Sequence, residues 1–172
     1  MTRLVVNIAL YQLAWLACVM GAAAHQPLWG YAAVGAAVAW HLWQAPRALP
    51  EGLLLLAAAA VGAVFEALLV RVGWVRIAPE LLTAGVVPLW MVALWAAFAT
   101  TFNVSLRTLR AKPWLVALLG LAGGPLAYAA GERLGAFAWQ DALAALVAIG
   151  LGWGLLLPLL LKAARRLDGY AA

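Results

Sequence analysis

"LLLLAAAAVGAVFEALLV", residues 53–70, holds eighteen residues with a single charge, Glu66, and no proline. As an α-helix it rises about 27 Å, which nearly matches a hydrocarbon core about 30 Å thick. Five further apolar runs accompany it. The chain is therefore expected to be all-α, a polytopic membrane bundle of six transmembrane helices at about 4–22, 27–44, 52–72, 84–103, 113–131 and 140–161. The breaks fall at HQP, QAPRALPEG, RVGWVRIAPE, RTLRAKP and ERLGAFAWQD, each a cluster of turn formers or charges. No long linker separates a second domain, so residues 1–172 read as one bundle.

Composition agrees with that reading. Hydrophobic residues make up 68% of the 172 and charged residues 10%, whereas soluble domains carry about a quarter charged. A water-soluble monomer is excluded. The first run follows Arg3 but is too long for a signal-peptide core and carries Asn7, Gln12 and Trp15, so it is expected to be a retained helix. Cys18 is the one cysteine, and His25 and His41 are the two histidines, so neither a disulfide within the chain nor a metal site is expected. Nucleotide loops and metalloprotease motifs are lacking too, so no cofactor is expected.

Alternate loops divide the basic residues unequally. Arg3, Arg47, Arg107, Arg110, Lys112, Lys162, Arg165 and Arg166 fall on one side, and Arg71, Arg76 and Arg133 on the other. Eight against three predicts that both termini are cytoplasmic. Topology and contact with membrane lipids account for the net charge of +5, without a nucleic-acid partner. Trp29, Trp74, Trp90 and Trp139 are expected at one interface and Trp40, Trp43 and Trp114 at the other, whereas Trp15, Trp95 and Trp153 fall at mid-depth. Those three either pack in the core or line a cavity for an apolar substrate. Small residues four apart, Ala58 and Gly62, Gly120 and Gly124, Gly150 and Gly154, offer faces for close helix packing within the chain or in a homodimer.

Ionisable groups at membrane depth are costly unless paired or hydrated, so each is a functional candidate. Glu66 and Tyr128 fall at similar depth in the outer half, and Glu132 follows Tyr128 by one turn on the same face. Pro125 is expected to kink or interrupt its helix. Glu66, Tyr128, Glu132 and Arg133 are expected to form a polar pocket, with Asp141 at its rim. In it Glu66, Tyr128 and Glu132 are the catalytic candidates, as general acids or bases. Arg133, Trp15, Trp95, Trp153, Gln12 and Asn103 are the candidate substrate contacts. The competing reading makes Glu132 and Arg133 a helix cap, and Gln12 and Asn103 interhelical hydrogen bonders. His41, between Trp40 and Trp43, reads as an interfacial anchor.

The segments NIALYQLAWLACVMGA, PLWMVALWAAFATTFNVSLRTL and GGPLAYAAGERLGA resemble a family of small bacterial inner-membrane proteins catalogued as domain of unknown function 2878. The resemblance spans nearly the whole chain. It implies a multi-pass protein of the bacterial inner membrane and no established activity. It also implies a lipid-related setting, because members accompany enzymes that modify unsaturated membrane fatty acids, and an acidic residue where Glu66 stands. Members carry a serine near Ala127, and the alanine here argues against an essential hydroxyl at that position. The expected function is binding or modifying a membrane lipid or acyl chain. The alternatives are a small proton-coupled transporter or exporter and a purely structural assembly protein.

Overall fold

The computed structural model describes residues 2–171. Six α-helices dominate it: α1 (Thr2–Ala23), α2 (Leu28–Gln44), α3 (Ala48–Arg71), α4 (Leu89–Ala99), α5 (Pro113–Arg133) and α6 (Ala142–Arg166). Among the described residues α1, α3, α5 and α6 are long and apolar enough to cross a membrane, whereas α2 has 17 residues and α4 only 11. The closest helix pairs are α1 with α2, α3 with α4, and α5 with α6.

The run expected as a helix over 84–103 is helical only across its middle. Pro88 stands at its N-cap, preceded by a short 3-10 helix (Pro79–Leu81) and a bridge between Thr83 and Val87. At the other end Thr100 Oγ1 and Thr101 Oγ1 donate to the carbonyls of Ala97 and Phe98, both at 2.6 Å. These side-chain bonds compete with the α-helical ladder, and the backbone tightens into three-residue turns. Asn7 Nδ2 from α1 donates to Thr100 O (3.1 Å), and Ser105 Oγ donates to Asn7 Oδ1 (2.5 Å). Residues 100–103 are buried, so the irregular backbone is satisfied inside the protein.

Proline and glycine shape the other helices less disruptively than the sequence suggests. α3 starts at Ala48 because Pro50 sits in the first turn, where its missing N–H has no partner to lose. α5 runs as continuous α-helix through Pro125 and α6 through Pro158; the expected interruption at Pro125 does not occur. α5 stops two residues before Gly135, whose φ is +86°. Gly135 N donates to Glu132 O (2.8 Å) and Ala136 N to Gly131 O (3.1 Å), a left-handed glycine cap that satisfies the last carbonyls. Asp141 is the N-cap of α6, its Oδ1 accepting from Ala144 N at 3.0 Å. It lies outside the wall of the Glu66 cavity described below.

The small-residue faces are occupied within the chain. A Cβ on Gly62 would meet the Trp95 indole, and one on Gly120 or Gly124 would meet Trp153. Gly150 and Gly154 lie against Leu121. At the end remote from the termini, β1 (Val75–Arg76) pairs antiparallel with β2 (Ala138–Trp139), Val75 opposite Trp139. This ribbon ties the segment after α3 to the segment after α5, and Arg76 Nη2 donates to Gln140 Oε1 at 2.6 Å. The described ends of the chain meet at the opposite end, where the Arg3 guanidinium lies over the Tyr170 ring, 5.4 Å from its centroid.

Candidate ligand-binding cavity

Glu66 is 2% exposed and points into the bundle. Its Oε1 accepts from the Tyr128 hydroxyl of α5 and from Trp95 Nε1 of α4 at 2.9 Å. Its second oxygen, Oε2, takes no hydrogen bond from any described residue. The local sequence explains the arrangement: Gly62, one turn before Glu66, leaves the space that Trp95 fills, and Gly124, one turn before Tyr128, does the same for Trp153. Trp95 and Trp153 then stack with centroids 4.5 Å apart and planes at 25°.

These residues border a cavity of about 70 Å³. Tyr11, Trp15 and Val19 of α1 line one side, and Ala127, Tyr128 and Gly131 of α5 the other. Between them stand Trp90, Met91, Leu94, Trp95 and Phe98 of α4, Trp153 of α6 and Phe137. The indole N–H groups of Trp90 and Trp153 are buried and have no partner among the described residues. Among the described residues no lysine, arginine or histidine lines the cavity, so Glu66 carries the only formal charge available there.

The walls are not equally tight. α1 and α5 face each other across the cavity without forming one of the close helix pairs. They approach at the ribbon end, where Gly131 is near Val19 and Gly135 near Ala23. Nearer mid-helix, Tyr11, Trp15 and Ala127 are only half-buried. Leu94 and Phe98 of α4 and Trp153 of α6 are half-buried as well, so the partly exposed wall of the cavity runs over α1, α4, α5 and α6, and α1 and α5 are in contact only towards the ribbon end.

The structure brings together five of the expected site residues, Glu66, Tyr128, Trp15, Trp95 and Trp153. It does not bring the other four. Glu132 is half-buried and Arg133 exposed at the end of α5, and neither lines the cavity. Phe137 closes that side instead, its ring 6.1 Å from that of Tyr128, because the Gly135 cap turns the chain back over Gly131. Gln12 is exposed on the outer face of α1, which corrects its reading as a pocket contact or an interhelical hydrogen bonder. Asn103 is buried at the terminus-bearing end, away from the cavity wall. Trp90 is corrected from interface to interior, at 1% exposure.

Asn103 belongs to a second buried cluster at the terminus-bearing end, where the sequence places a polar layer of Asn7, His41, Thr100, Asn103, Ser105 and Arg107 without picking out its acid, Glu51. Glu51, fifteen residues before Glu66 and so about 22 Å away along α3, is 0% exposed. Its Oε1 accepts from Asn103 Nδ2 (2.6 Å) and Gly169 N (2.7 Å), and its Oε2 lies 2.8 Å from His41 Nε2. His41 is therefore a buried partner of Glu51, not an interfacial anchor. The C-terminal segment closes over this group: Arg47 Nη2 donates to Asp168 O (2.7 Å), Arg107 and Arg110 pair with Asp168 Oδ2 (3.1 Å each), and Tyr170 Oη donates to His41 O (2.6 Å). The Tyr170 phenol is pushed up to about 12 by burial and by the Glu51 charge, against the opposing pull of Arg3. Glu51 could have been noticed as an acid inside the first turn of a proline-started helix, a favourable place for negative charge.

Residues 4–159 match the family described as protein of unknown function, DUF2878. Neither the curated proteins nor the solved structures give a match. Because the matched region takes in both walls of the cavity and most of the chain's 172 residues, the protein belongs to the DUF2878 family.

Proposed function

We propose that the chain spans the bacterial inner membrane with six helices, both termini cytoplasmic, and binds an amphipathic molecule dissolved in the bilayer. The observation that carries this reading is the aromatic cavity at Glu66; we take the loosely packed α1–α5 side, where Tyr11, Trp15 and Ala127 are half-buried, as its lateral entrance. A site reached laterally suits ligands that partition into lipid, and an apolar wall with few polar groups is the usual make-up of small-molecule sites. The short α4 fits a membrane setting because the bonds of Asn7, Thr100 and Thr101 satisfy the turn that follows it. The eight basic residues expected on the cytoplasmic side include the arginines that hold the C-terminal segment.

Size restricts what enters. A single water needs about 10–15 Å³ of such space, and the cavity offers about 70 Å³. The cavity therefore admits a small head group, with an elongated chain left in the gap or in the lipid. Lipids and acyl-chain amphiphiles have that shape.

Photolabelling tests the reading. A membrane-partitioning alkyl diazirine should label Tyr11, Trp15, Phe98 or Ala127 in preference to exposed apolar residues such as Leu56 and Leu143, and Ala127→Trp should suppress that labelling. Labelling spread evenly over the outer surface and indifferent to Ala127→Trp would refute it.

A further inference from the structure

We infer that the head group bound in the cavity is a tertiary or quaternary alkylammonium, taken up in exchange for the proton of Glu66. The inference rests on the ligand-binding reading above and names the ligand's chemistry. It begins with the charge of the wall. Glu66 is the only acid lining the cavity, and no basic residue accompanies it among the described residues. A fatty-acid carboxylate or a phosphate would enter with no counter-ion, beside a group that is itself neutral or negative. The unpartnered Trp90 and Trp153 N–H groups could bond an acceptor but carry no charge to balance an anion; buried charge without a counter-ion is strongly disfavoured, so a neutral or cationic head fits better than an anionic one.

Glu66 can balance a cation by giving up its proton, and the aromatic walls then decide for the cation. Its Oε1 is held by the Tyr128 hydroxyl and Trp95 Nε1, and both donors suit that oxygen as part of a carboxylate or as the carbonyl of a neutral acid. Oε2 is the oxygen with no protein partner. Empty, the cavity is best matched by a neutral Glu66 with its proton on Oε2. Filled by a cation, it is best matched by the carboxylate.

The walls select the kind of cation. Eight of the fourteen lining residues are aromatic, and aromatic rings attract ammonium groups, most strongly when both are desolvated. A hard metal ion would need several oxygen ligands, which such a wall does not supply. A primary ammonium carries three N–H donors that would share essentially one free acceptor. An alkylated ammonium has few or none and gives its surface to the rings. Its tail occupies the gap between α1 and α5.

The exchange balances. As the cation enters, the Oε2 proton leaves to water, and the carboxylate and ammonium replace the neutral acid with no change in the net charge of the site. The other groups around Glu66 do not interfere near neutral pH. Among the described residues Tyr11 from α1 and Tyr128 from α5 are the only other titratable ones on the wall, with phenols that ordinarily ionise near 10. α4, α6 and Phe137 contribute no titratable group.

The test uses the full chain in maltoside micelles with dodecyltrimethylammonium, dodecanol and dodecanoate, each below its micellar concentration, followed by tryptophan quenching and calorimetry. Dodecyltrimethylammonium should bind, release one proton per molecule in paired buffers of different ionisation enthalpy, and gain about tenfold in affinity per pH unit while Glu66 is protonated. Glu66→Gln should weaken it at least about tenfold and remove the pH dependence. If that variant fails to fold, the proton count and pH slope of the unmodified chain decide. Binding of dodecyltrimethylammonium without proton release, or tighter binding of dodecanol or dodecanoate, would overturn the exchange while leaving lateral ligand binding intact. Failure of all three to bind would overturn it too, and the diazirine labelling would then show separately whether the cavity takes any ligand.

Discussion

Glu51→Ala should be among the most destabilising single changes in this protein. The carboxylate joins α2 through His41, the turn after α4 through Asn103 and the C-terminal segment through Gly169 N, all at 2.6–2.8 Å. Alanine leaves three buried groups without their acceptor, at about 1–3 kcal/mol each if independent. They share one site and will not add fully. A loss of about 3–5 kcal/mol, or two to four orders of magnitude in the folding equilibrium, is expected. Glu51→Gln should cost about 1 kcal/mol, because the amide oxygen still accepts from Asn103 and Gly169 while the NH₂ meets His41 Nε2 as an acceptor in its other tautomer. Unfolding in mixed maltoside and dodecyl sulfate micelles, read from tryptophan fluorescence, gives both values. An alanine variant within about 0.5 kcal/mol of the unmodified chain would show that the cluster does not hold α2, α3 and the C-terminal segment together.

Gly62→Ala should place a methyl group in the Trp95 indole, cost about 1–3 kcal/mol by overpacking, and weaken ligand binding at Glu66. Gly123→Ala, which meets nothing within 4 Å, should be neutral or stabilising by up to about 1 kcal/mol in the same melts. Asp141→Ala removes the acceptor for Ala144 N and should lower stability by about 0.5–2 kcal/mol without changing ligand affinity. The Tyr170 phenol ionises near 12 in the folded chain and near 10 when free, so the folded form holds its proton longer. Its stabilisation should be complete below pH 10 and lost as the pH rises from 10 to 12, while Tyr170→Phe lacks that loss when stability is followed against pH.

Much of the bundle was legible because apolar length dominates the sequence, yet two features were not. Thr100 and Thr101 lie in an apolar run, and nothing in their hydropathy says that their hydroxyls will take the carbonyls of Ala97 and Phe98 and end α4. Pro50 and Gly52 read as turn formers, so Glu51 looked like part of a loop. A proline in the first turn instead starts a helix and carries that acid inward. Side-chain direction was legible where spacing decided it, as for Glu66 above Gly62 and Tyr128 above Gly124. Gln12 shows the same rule neglected. It is five residues from the buried Asn7, about 140° around the helix, and so off the stripe that also includes Ala14 and Cys18. Glu132 was misplaced for a different reason: the chain turns at the local Gly135 cap, and face arithmetic along α5 does not extend past it to show that Phe137 returns to close the wall.

The two buried glutamates of α3 separate structural acids from ligand-binding ones by counting donors. Both are at most 2% exposed, but Glu51 has both oxygens engaged whereas Glu66 has only Oε1 engaged. The unequal satisfaction predicts unequal responses to the same substitutions. At Glu66, glutamine keeps an oxygen for Tyr128 and Trp95 and turns its NH₂ toward the cavity, so stability should change by less than about 1 kcal/mol. Leucine leaves the buried Tyr128 hydroxyl and Trp95 N–H without an acceptor, and should cost about 1–3 kcal/mol for each, less than their full sum because they share one site. The order leucine worse than glutamine, glutamine close to glutamate, is a statement about Oε1 alone and is read from the same micelle unfolding curves. A glutamine as damaging as leucine would mean that the negative charge itself holds α3 to α4 and α5, and Glu66 would then belong with Glu51 as a structural acid.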